Sequence, residues 1–542
     1  MSRGSDERPR KRGIVPTVLL VALGVFPCLA AHAQAPHVTA PAGRIIGVNN
    51  GTTEGFLGID YAMPPVGERR WRLSAPMPHS RRPLGATVQH EGCAALISGD
   101  AFETHNENCL SLNVYRPRAT PPGAHLPVIV FVHGGGNQSG TPAIYDGSAL
   151  AAAEHAIVVI PAYRLGIFGY LALPQDGDGP APTGDLAIGD LLNALRWVHA
   201  NIAAFGGDPA TVTLAGESAG AANVCDLLTA PASAGLFSQA IMESGFCPAR
   251  SPLAISQAIG MATAREAGCT GPHALACLRD KPVPVLLASW DKVWQQPTVR
   301  LENGTVVQRP LFPTAPYGTS LQPVSGEAAI RRGTWHAVPV LIGFNRDELR
   351  GFLAGYFPMT RAAYDAVLTR AYPTLKDQLT RIYPLDPASP LYTLATIRSD
   401  QMFICPALRG AALFAPSTSV SVYEFADRTA PAFHSLALKL PEPEGFERGA
   451  AHTAELAYLF GYKSIAAPLS AKQSALSHQM MTMWMAFGRT GTNWPTWTPR
   501  DPTSMIIADK ENGGIRKSSD ISSVHHCDFW DRYPAIPNSL FP

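Results

Sequence analysis

Several features that would point to other protein classes are scarce or absent in this sequence of 542 residues. It has no internal repeat, no low-complexity tract and no convincing linker after the N-terminal segment. Charged residues make up 16% and hydrophobic residues 46%, which argues against disorder and favours a large globular core. The net charge is only +1, and residues 1–33 hold five basic against two acidic side chains, so the remainder is near neutral. We therefore expect no binding of nucleic acid.

Metal-binding patterns are also missing. No Cys-x-x-Cys pair occurs, and the run His525-His526-Cys527 has no second ligand cluster to complete a site. We expect no metal ion. No pattern indicates an oligomeric state.

Long apolar runs are absent except at the N-terminus. There a basic stretch precedes an apolar run from Ile14 to Ala30, which Pro and Gly residues interrupt, and the small residues Ala31 and Ala33 follow. This order is typical of an export signal, and the run is short and broken for an uncleaved membrane anchor. We expect residues 1–33 to be a signal peptide cleaved near Ala33, and the protein to be secreted or periplasmic without a stable membrane span. Residues 34–542 are expected to form a single domain.

Cysteine is infrequent, and one of the nine cysteines lies in the predicted signal. An even number in an exported chain favours disulfides over redox chemistry. The remaining eight are Cys93, Cys109, Cys225, Cys247, Cys269, Cys277, Cys405 and Cys527.

The first half of the chain alternates apolar, β-branched runs with helical periodicity, which predicts a mostly parallel sheet with helical crossovers. Residues 187–204 have helical spacing, and the mixed stretches 250–335 and 350–400 are expected to form helices and long loops that cap the sheet. The predicted strands lie at 127–132, 156–160, 211–214, 240–243, 339–343 and 420–424.

A Gly-x-Ser-x-Gly pentapeptide, residues 216–220, follows the strand at 211–214 directly and precedes an apolar helical segment. This context predicts a nucleophile elbow, in which flanking glycines let a serine on a tight strand-to-helix turn project its hydroxyl. The serine is Ser218.

A glycine-rich turn, residues 133–136, ends an earlier strand with the sequence His-Gly-Gly-Gly. The amide N–H groups of Gly135 and Gly136, together with that of Ala219 after the serine, are candidates for an oxyanion hole. Glycine permits the close backbone approach that such a turn needs.

A serine nucleophile needs a base and an acid that orients it, and on this architecture the chain order is serine, acid, histidine. Asp347 and Glu348 directly follow the strand at 339–343, and the residues alone leave them close competitors for the acid. His452 is the leading candidate for the base because it lies in a loop after the last predicted strand.

Taken together, these motifs resemble those of the type-B carboxylesterases, the group that also contains the cholinesterases. The resemblance extends over almost all of residues 40–535. The resemblance implies an α/β-hydrolase fold, with a large central, mostly parallel sheet flanked by helices with capping insertions. It implies the triad Ser218, Glu348 and His452, which favours Glu348 over Asp347, and an oxyanion hole from the three amides above. The matching segments are residues 58–67, 107–114, 133–136, 163–166, 201–209, 216–220, 345–348 and 452–456.

The resemblance also implies disulfide pairings. These are Cys93–Cys109, Cys269–Cys277 and Cys405–Cys527. Cys225 and Cys247 are left either as a fourth bridge or as buried thiols.

Some charged residues are expected to act structurally. Arg70 with Glu107, and Arg164 with Asp190, match ion pairs that buttress the fold in this family. Glu217, beside the nucleophile, is expected either to stabilise the imidazolium or hold water for deacylation, or to have a purely structural role.

The sequence departs from the family pattern at Asn137, where an aromatic residue is usual after the glycines, and we expect this change to alter one wall of the site. The loop from Ala94 to Asn108 contains Phe102 as its only aromatic residue and no tryptophan to hold a choline by cation–π attraction. Trp71 or Tyr145 is the alternative cation partner, although neither lies in that loop.

The function that these residues favour is hydrolysis of a small carboxylic ester through an acyl-enzyme, which requires no metal or organic cofactor. A specialised toxin, aromatic-ester or polyester hydrolase is the alternative within enzymes. A non-catalytic adhesion or binding protein on the same scaffold is the alternative outside them, and such relatives typically lack the nucleophile.

Overall fold

A computed structural model shows a central β-sheet with helices around it. It describes residues 35–95, 104–175, 180–247, 251–433, 443–460 and 467–534, together with residues 1 and 4. Except for residues 1 and 4, the predicted signal segment lies outside the described residues, and so does Phe102. The described residues from 36 onward form one compact unit.

The strands form where apolar and β-branched residues cluster, and those at the centre of the sheet are buried along almost their whole length, as strands covered on both faces require. The strands found in the described residues are β1 His37–Ala40, β2 Gly43–Ile46, β3 Val48–Asn50, β4 Thr53–Asp60, β5 Leu84–Gly85, β6 Ser111–Pro117, β7 Leu126–Val132, β8 Ile157–Pro161, β9 Gly207–Glu217, β10 Gln239–Glu243, β11 Thr298–Arg300, β12 Val306–Gln308, β13 Val340–Asn345, β14 Val420–Phe425, β15 Ser504–Ile507 and β16 Arg516–Ser518.

Eleven of the described strands form the central sheet, in the order β16-β15-β14-β13-β10-β9-β7-β8-β6-β4-β3. The pairs from β15 to β8 are all parallel, and the pairs at both edges are antiparallel. Because parallel strands end at the same edge of a sheet, the loops after β7, β9, β10 and β13 converge there. This edge therefore holds the residues after β7, β9 and β13 that the sequence assigns to the site.

Helices supply the crossovers between these strands. The described α-helical segments are α1 Ser148–Glu154, α2 Gly166–Tyr170, α3 Leu186–Asn201, α4 Ala219–Thr229, α5 Leu253–Glu266, α6 Ala274–Arg279, α7 Val283–Trp294, α8 Gly326–Arg331, α9 Arg350–Leu353, α10 Arg361–Ala371, α11 Lys376–Ile382, α12 Pro390–Ser399, α13 Cys405–Phe414, α14 Leu456–Leu459, α15 Ala471–Thr490, α16 Ile521–Val524 and α17 Cys527–Trp530. A π-helical turn, Asp400–Ile404, joins α12 to α13.

The predicted fold class is confirmed, and each of the six predicted strands is present with its ends shifted by a few residues. The predicted helix at 187–204 is α3, which ends at Asn201 and continues as a 3₁₀ turn, Ile202–Phe205. The mixed stretches 250–335 and 350–400 contain the expected helices, α5 to α8 and α9 to α12, and the first also contains the antiparallel pair β11 and β12, which was not predicted. Within the described part of the chain, no helix combines the length and apolarity that a membrane crossing needs.

The part of the chain that the structure describes contains four disulfides, and they include the three pairings that the resemblance implied. Cys225 and Cys247 form the fourth bridge rather than remaining thiols, and this bridge ties α4 to the segment after β10. The bridge between Cys405 and Cys527 closes the longest loop, with a sequence separation of 122 residues.

Candidate active site

The segment around Ser218 is a sharp turn between β9 and α4. Ser218 has φ 56° and ψ −123°, a conformation that costs a non-glycine residue strain energy, and its amide donates to Glu243 O at 2.8 Å. The flanking glycines are sterically required. A β-carbon on Gly216 would lie 2.7 Å from the Gly220 backbone, and one on Gly220 would lie 2.1 Å from Val132 O. The pentapeptide therefore forms the predicted elbow, with Ser218 partly exposed at its tip.

His452 and Glu348 meet at the ends of two different segments. His452 Nδ1 lies 2.6 Å from Glu348 Oε2, and His452 N donates to Glu348 O at 3.1 Å. The other carboxylate oxygen of Glu348 accepts from the backbone N–H of Asn345, at the end of β13, at 2.8 Å. Both side chains are buried, so this hydrogen bond is shielded from water.

Asp347, the competing acid, faces a different set of partners. Its carboxylate lies 3.0 Å from Arg350 Nε and 3.3 Å from Arg428 Nε, and it accepts from Ala450 N at 3.0 Å. The structure therefore brings Glu348, and not Asp347, to His452.

The second imidazole nitrogen points toward the elbow. His452 Nε2 lies 3.2 Å from Glu217 Oε1, and Glu217 immediately precedes Ser218. The imidazole of His452 is thus held between Glu348 on its Nδ1 side and Glu217, the residue before Ser218, on its Nε2 side.

Charges around His452 alter its basicity. Burial disfavours the imidazolium, but the carboxylates of Glu217 and Glu348 outweigh burial and raise the pKa of His452 to about 9. Burial, reinforced by the charges of Glu455 and Glu348, raises the pKa of Glu217 well above its usual value even though His452 opposes the rise.

Two further buried carboxyls adjoin this pair, and the sequence analysis did not identify either. Glu455 is hydrogen-bonded to the amide of Asn345, and burial together with the charge of Glu348 raises its pKa to about 7. Glu243 pairs with Glu217 across β10 and β9, accepts from Trp484 Nε1 at 3.2 Å, and has a pKa that burial raises strongly. The sequence did contain a signal for each carboxyl. Glu455 lies three positions after His452, and Glu243 lies at the end of a buried strand.

The glycine turn after β7 presents unused donors. Gly135 and Gly136 have φ of 108° and 62°, and a β-carbon on Gly135 would lie 2.3 Å from Ser139 O. Within the described residues, the amide N–H groups of Gly135, Gly136 and Ala219 donate to no protein acceptor. Gly134 packs against the elbow, since its β-carbon would lie 3.0 Å from Ser218 Cβ. The turn and the start of α4 thus lie side by side, as an oxyanion hole requires.

Two phenylalanines line the other sides of His452. The ring of Phe352 lies 5.4 Å and that of Phe403 5.0 Å from the imidazole, and both side chains are partly exposed. Phe403 belongs to the π-helical turn, a type of irregularity that is frequent at functional sites. Asp400, at the start of that turn, binds His525 Nδ1 at 2.6 Å. Sequence periodicity has no signal for a π-helical turn. The contact of Phe403 with His452 and that of Asp400 with His525 were therefore not predicted.

The predicted ion pairs are both formed. Arg70 Nε lies 2.7 Å from Glu107 Oε1, and Arg164 Nε lies 2.7 Å from Asp190 Oδ2. Both arginines also donate to backbone carbonyls, as expected of pairs that hold loops in place. Asn137, expected to change one wall of the site by replacing an aromatic residue, has no exposed surface, and its side-chain amide is hydrogen-bonded within the protein.

Comparison with known proteins extends the match beyond the site. The model of the carboxylesterase family matches residues 34–530. A para-nitrobenzyl esterase of Bacillus subtilis (strain 168) is 31% identical to this chain, over 87% of this chain and 94% of that protein. A cholinesterase of Mus musculus is 29% identical, over 91% of this chain and 86% of that protein.

Proposed function

The chain belongs to the carboxylesterase family and is a carboxylic ester hydrolase, and from this premise we propose that it acts through an acyl-enzyme on Ser218. His452 is the general base and Glu348 is the acid that orients it. The observation that carries this proposal is the 2.6 Å hydrogen bond between His452 Nδ1 and Glu348 Oε2, beside the strained turn of Ser218.

In the first half of the reaction, His452 Nε2 takes the hydroxyl proton as Ser218 attacks the ester carbonyl. The carbonyl oxygen becomes an oxyanion, which accepts hydrogen bonds from the amides of Gly135, Gly136 and Ala219. The imidazolium then gives its proton to the alkoxide as the alcohol leaves. In the second half, water attacks the acyl-enzyme through the same base and releases the acid.

Glu217 has a supporting role in this proposal. Its carboxyl lies 3.2 Å from His452 Nε2 and close to the path of the transferred proton. Negative charge there stabilises the imidazolium that forms during each half-reaction. Burial raises the pKa of Glu217 itself, and the charge of His452 opposes that rise.

The nucleophile is tested by Ser218→Ala. The variant should lose kcat by roughly 10⁴–10⁶-fold, by analogy with other triad enzymes. It should also lose labelling by a fluorophosphonate, which reacts with activated serines. Ser233→Ala is a suitable control, since Ser233 is a buried serine beyond the end of α4 whose hydroxyl donates to Ala230 O at 2.9 Å. Labelling that persists in Ser218→Ala would show that another serine reacts.

We also propose that the chain is exported, with residues 1–33 as the signal and residues 34–542 as one catalytic domain. Four disulfides support this proposal, because such bridges persist in oxidising compartments. N-terminal sequencing of the processed protein should give a first residue near position 34. A mature protein that begins at Met1 would contradict the proposal.

The substrate is proposed to be an uncharged small-molecule ester rather than a choline ester. The two aromatic residues considered as alternative cation partners are both buried: Trp71 is 2% exposed and donates to Ile167 O at 2.8 Å, and Tyr145 is 1% exposed and packs against Phe131. Neither offers a free ring face to a cation. A hydrolysis screen with p-nitrophenyl esters of graded chain length, and with aromatic and polymeric esters, separates a general esterase from the specialised alternatives.

A further inference from the structure

Asn137 lies directly after the glycine turn in an uncommon environment. Its backbone has a φ of 56°, in the left-handed region that asparagine tolerates better than most residues. Its side chain is fully buried, at 0% exposure. A buried amide is costly unless its polar atoms are hydrogen-bonded, so the partners of this side chain explain its position.

All four hydrogen-bonding positions of the Asn137 amide are occupied. Its Oδ1 accepts from Asn223 Nδ2 at 2.9 Å and from the Tyr163 hydroxyl at 3.3 Å. Its Nδ2 donates to Pro313 O at 2.8 Å and to Asn223 Oδ1 at 3.4 Å. A primary amide has two donors and two acceptor lone pairs, so this site is saturated, and an aromatic residue could not make these bonds.

The partner amide belongs to the helix that begins at the nucleophile. Asn223 lies in α4, is also 0% exposed, and forms with Asn137 a reciprocal pair of amide hydrogen bonds. The first residue of that helix is Ala219, one of the three candidate oxyanion donors. The other two, Gly135 and Gly136, immediately precede Asn137. The asparagine pair therefore spans the two segments from which the oxyanion hole is assembled.

Tyr163 holds the same turn at its other end. Its hydroxyl shares its one proton between His133 O, at 2.8 Å, and Asn137 Oδ1, at 3.3 Å, so one hydroxyl contacts the residues on both sides of the glycines. The Tyr163 ring stacks on His133 at 4.5 Å. The amide of Gly166 donates to Asn137 O at 2.7 Å and completes the attachment.

We propose that Asn137 and Asn223 are positioning residues for the oxyanion hole, because their paired amides fix the separation between the glycine turn and the N-terminus of α4. This role rests on the proposed function. Stabilisation of an oxyanion requires donors at about 2.7–3.1 Å from the developing charge, so small displacements of one segment weaken it. The ground-state ester depends much less on these donors.

The test compares Asn137→Gly and Asn223→Ala with Asn193→Ala. Glycine at 137 can adopt the left-handed backbone, and it removes the whole side chain with its amide. Asn193 is a matched control, a buried asparagine in α3 whose Nδ2 donates to Ser74 O at 2.6 Å. We expect kcat to fall roughly 10–100-fold in the two site variants, less than the loss of a whole oxyanion donor. We expect KM to change less than about threefold, and a trifluoromethyl ketone that mimics the tetrahedral intermediate to bind more weakly by the factor lost in kcat/KM. Asn193→Ala should lose thermal stability without this loss of kcat.

A double variant shows whether the asparagines act as one unit. If they do, Asn137→Gly with Asn223→Ala should lower kcat no further than the worse single variant. Tyr163→Phe keeps the ring and removes the hydroxyl, and it should also lower kcat. This variant provides the test if the asparagine variants do not fold. Additive losses, or kcat unchanged with normal inhibitor affinity, would overturn the proposal. Absence of fluorophosphonate labelling on Ser218 in the unmodified enzyme would instead overturn the proposed function.

Discussion

Replacement of Glu348 by Gln tests the assignment of the acid at its most specific point. Glu348 uses its two carboxylate oxygens on two donors, His452 Nδ1 at 2.6 Å and Asn345 N at 2.8 Å. Glutamine has one oxygen and one NH₂ group. In one orientation of the amide its NH₂ group faces His452 Nδ1, and in the other it faces the Asn345 N–H.

The size of the effect follows from this conflict. If the NH₂ group faces His452, it favours the tautomer with its proton on Nε2, which cannot take the proton of Ser218. If the oxygen faces His452, the Asn345 amide is left against a donor, and the imidazolium loses a charged partner. A comparable neutralisation in a serine protease lowers kcat about 10⁴-fold, which corresponds to roughly 5.4 kcal/mol in the activation barrier. We expect a loss of this order in Glu348→Gln.

Asp347→Asn is the matched control because it neutralises the adjacent carboxylate. Asp347 binds Arg350 and Arg428 rather than His452, so its replacement should lower the melting temperature while kcat stays within about tenfold of the unmodified enzyme. The assay is hydrolysis of a p-nitrophenyl ester at saturating substrate, with thermal unfolding followed in parallel. A larger loss of kcat in Asp347→Asn than in Glu348→Gln would refute the assignment of the acid.

Three further outcomes are expected. Glu217→Gln removes a carboxylate that raises the pKa of His452, so the pKa of His452 should fall. The acid limb of the pH profile of kcat/KM should then move to lower pH. A move to higher pH would contradict the contact between Glu217 and His452. Replacement of both Cys405 and Cys527 by Ser should lower the free energy of unfolding in urea by about 5 kcal/mol, from the chain entropy of a loop this long, and a loss under about 1 kcal/mol would show that the bridge contributes little. The ratio of kcat/KM for butyrylthiocholine to that for an uncharged butyryl thioester should stay below about tenfold, because a cation–π site is worth about 0.5–2 kcal/mol.

Much of the site could be predicted because its signals are local. The glycines at 216 and 220 are required by contacts of 2.7 Å or less within the elbow and with the neighbouring strand, so the pentapeptide after an apolar strand already defines the turn. The strands themselves follow from short β-branched runs. Glu348 was different, because the residues alone did not separate it from Asp347, and the preference came from resemblance to a family.

Tertiary structure decided the contacts between segments that are distant in the sequence. His452 meets Glu348 from 104 residues away, and Asn137 meets Asn223 from 86 residues away. Adjacent residues in a loop point in different directions, and which one faces the histidine depends on how β13 and the segment before α14 pack. The same reason applies to Asn137: the sequence shows a polar residue beside the glycines, but only the packed neighbours show that its amide is turned inward, where both polar atoms find partners.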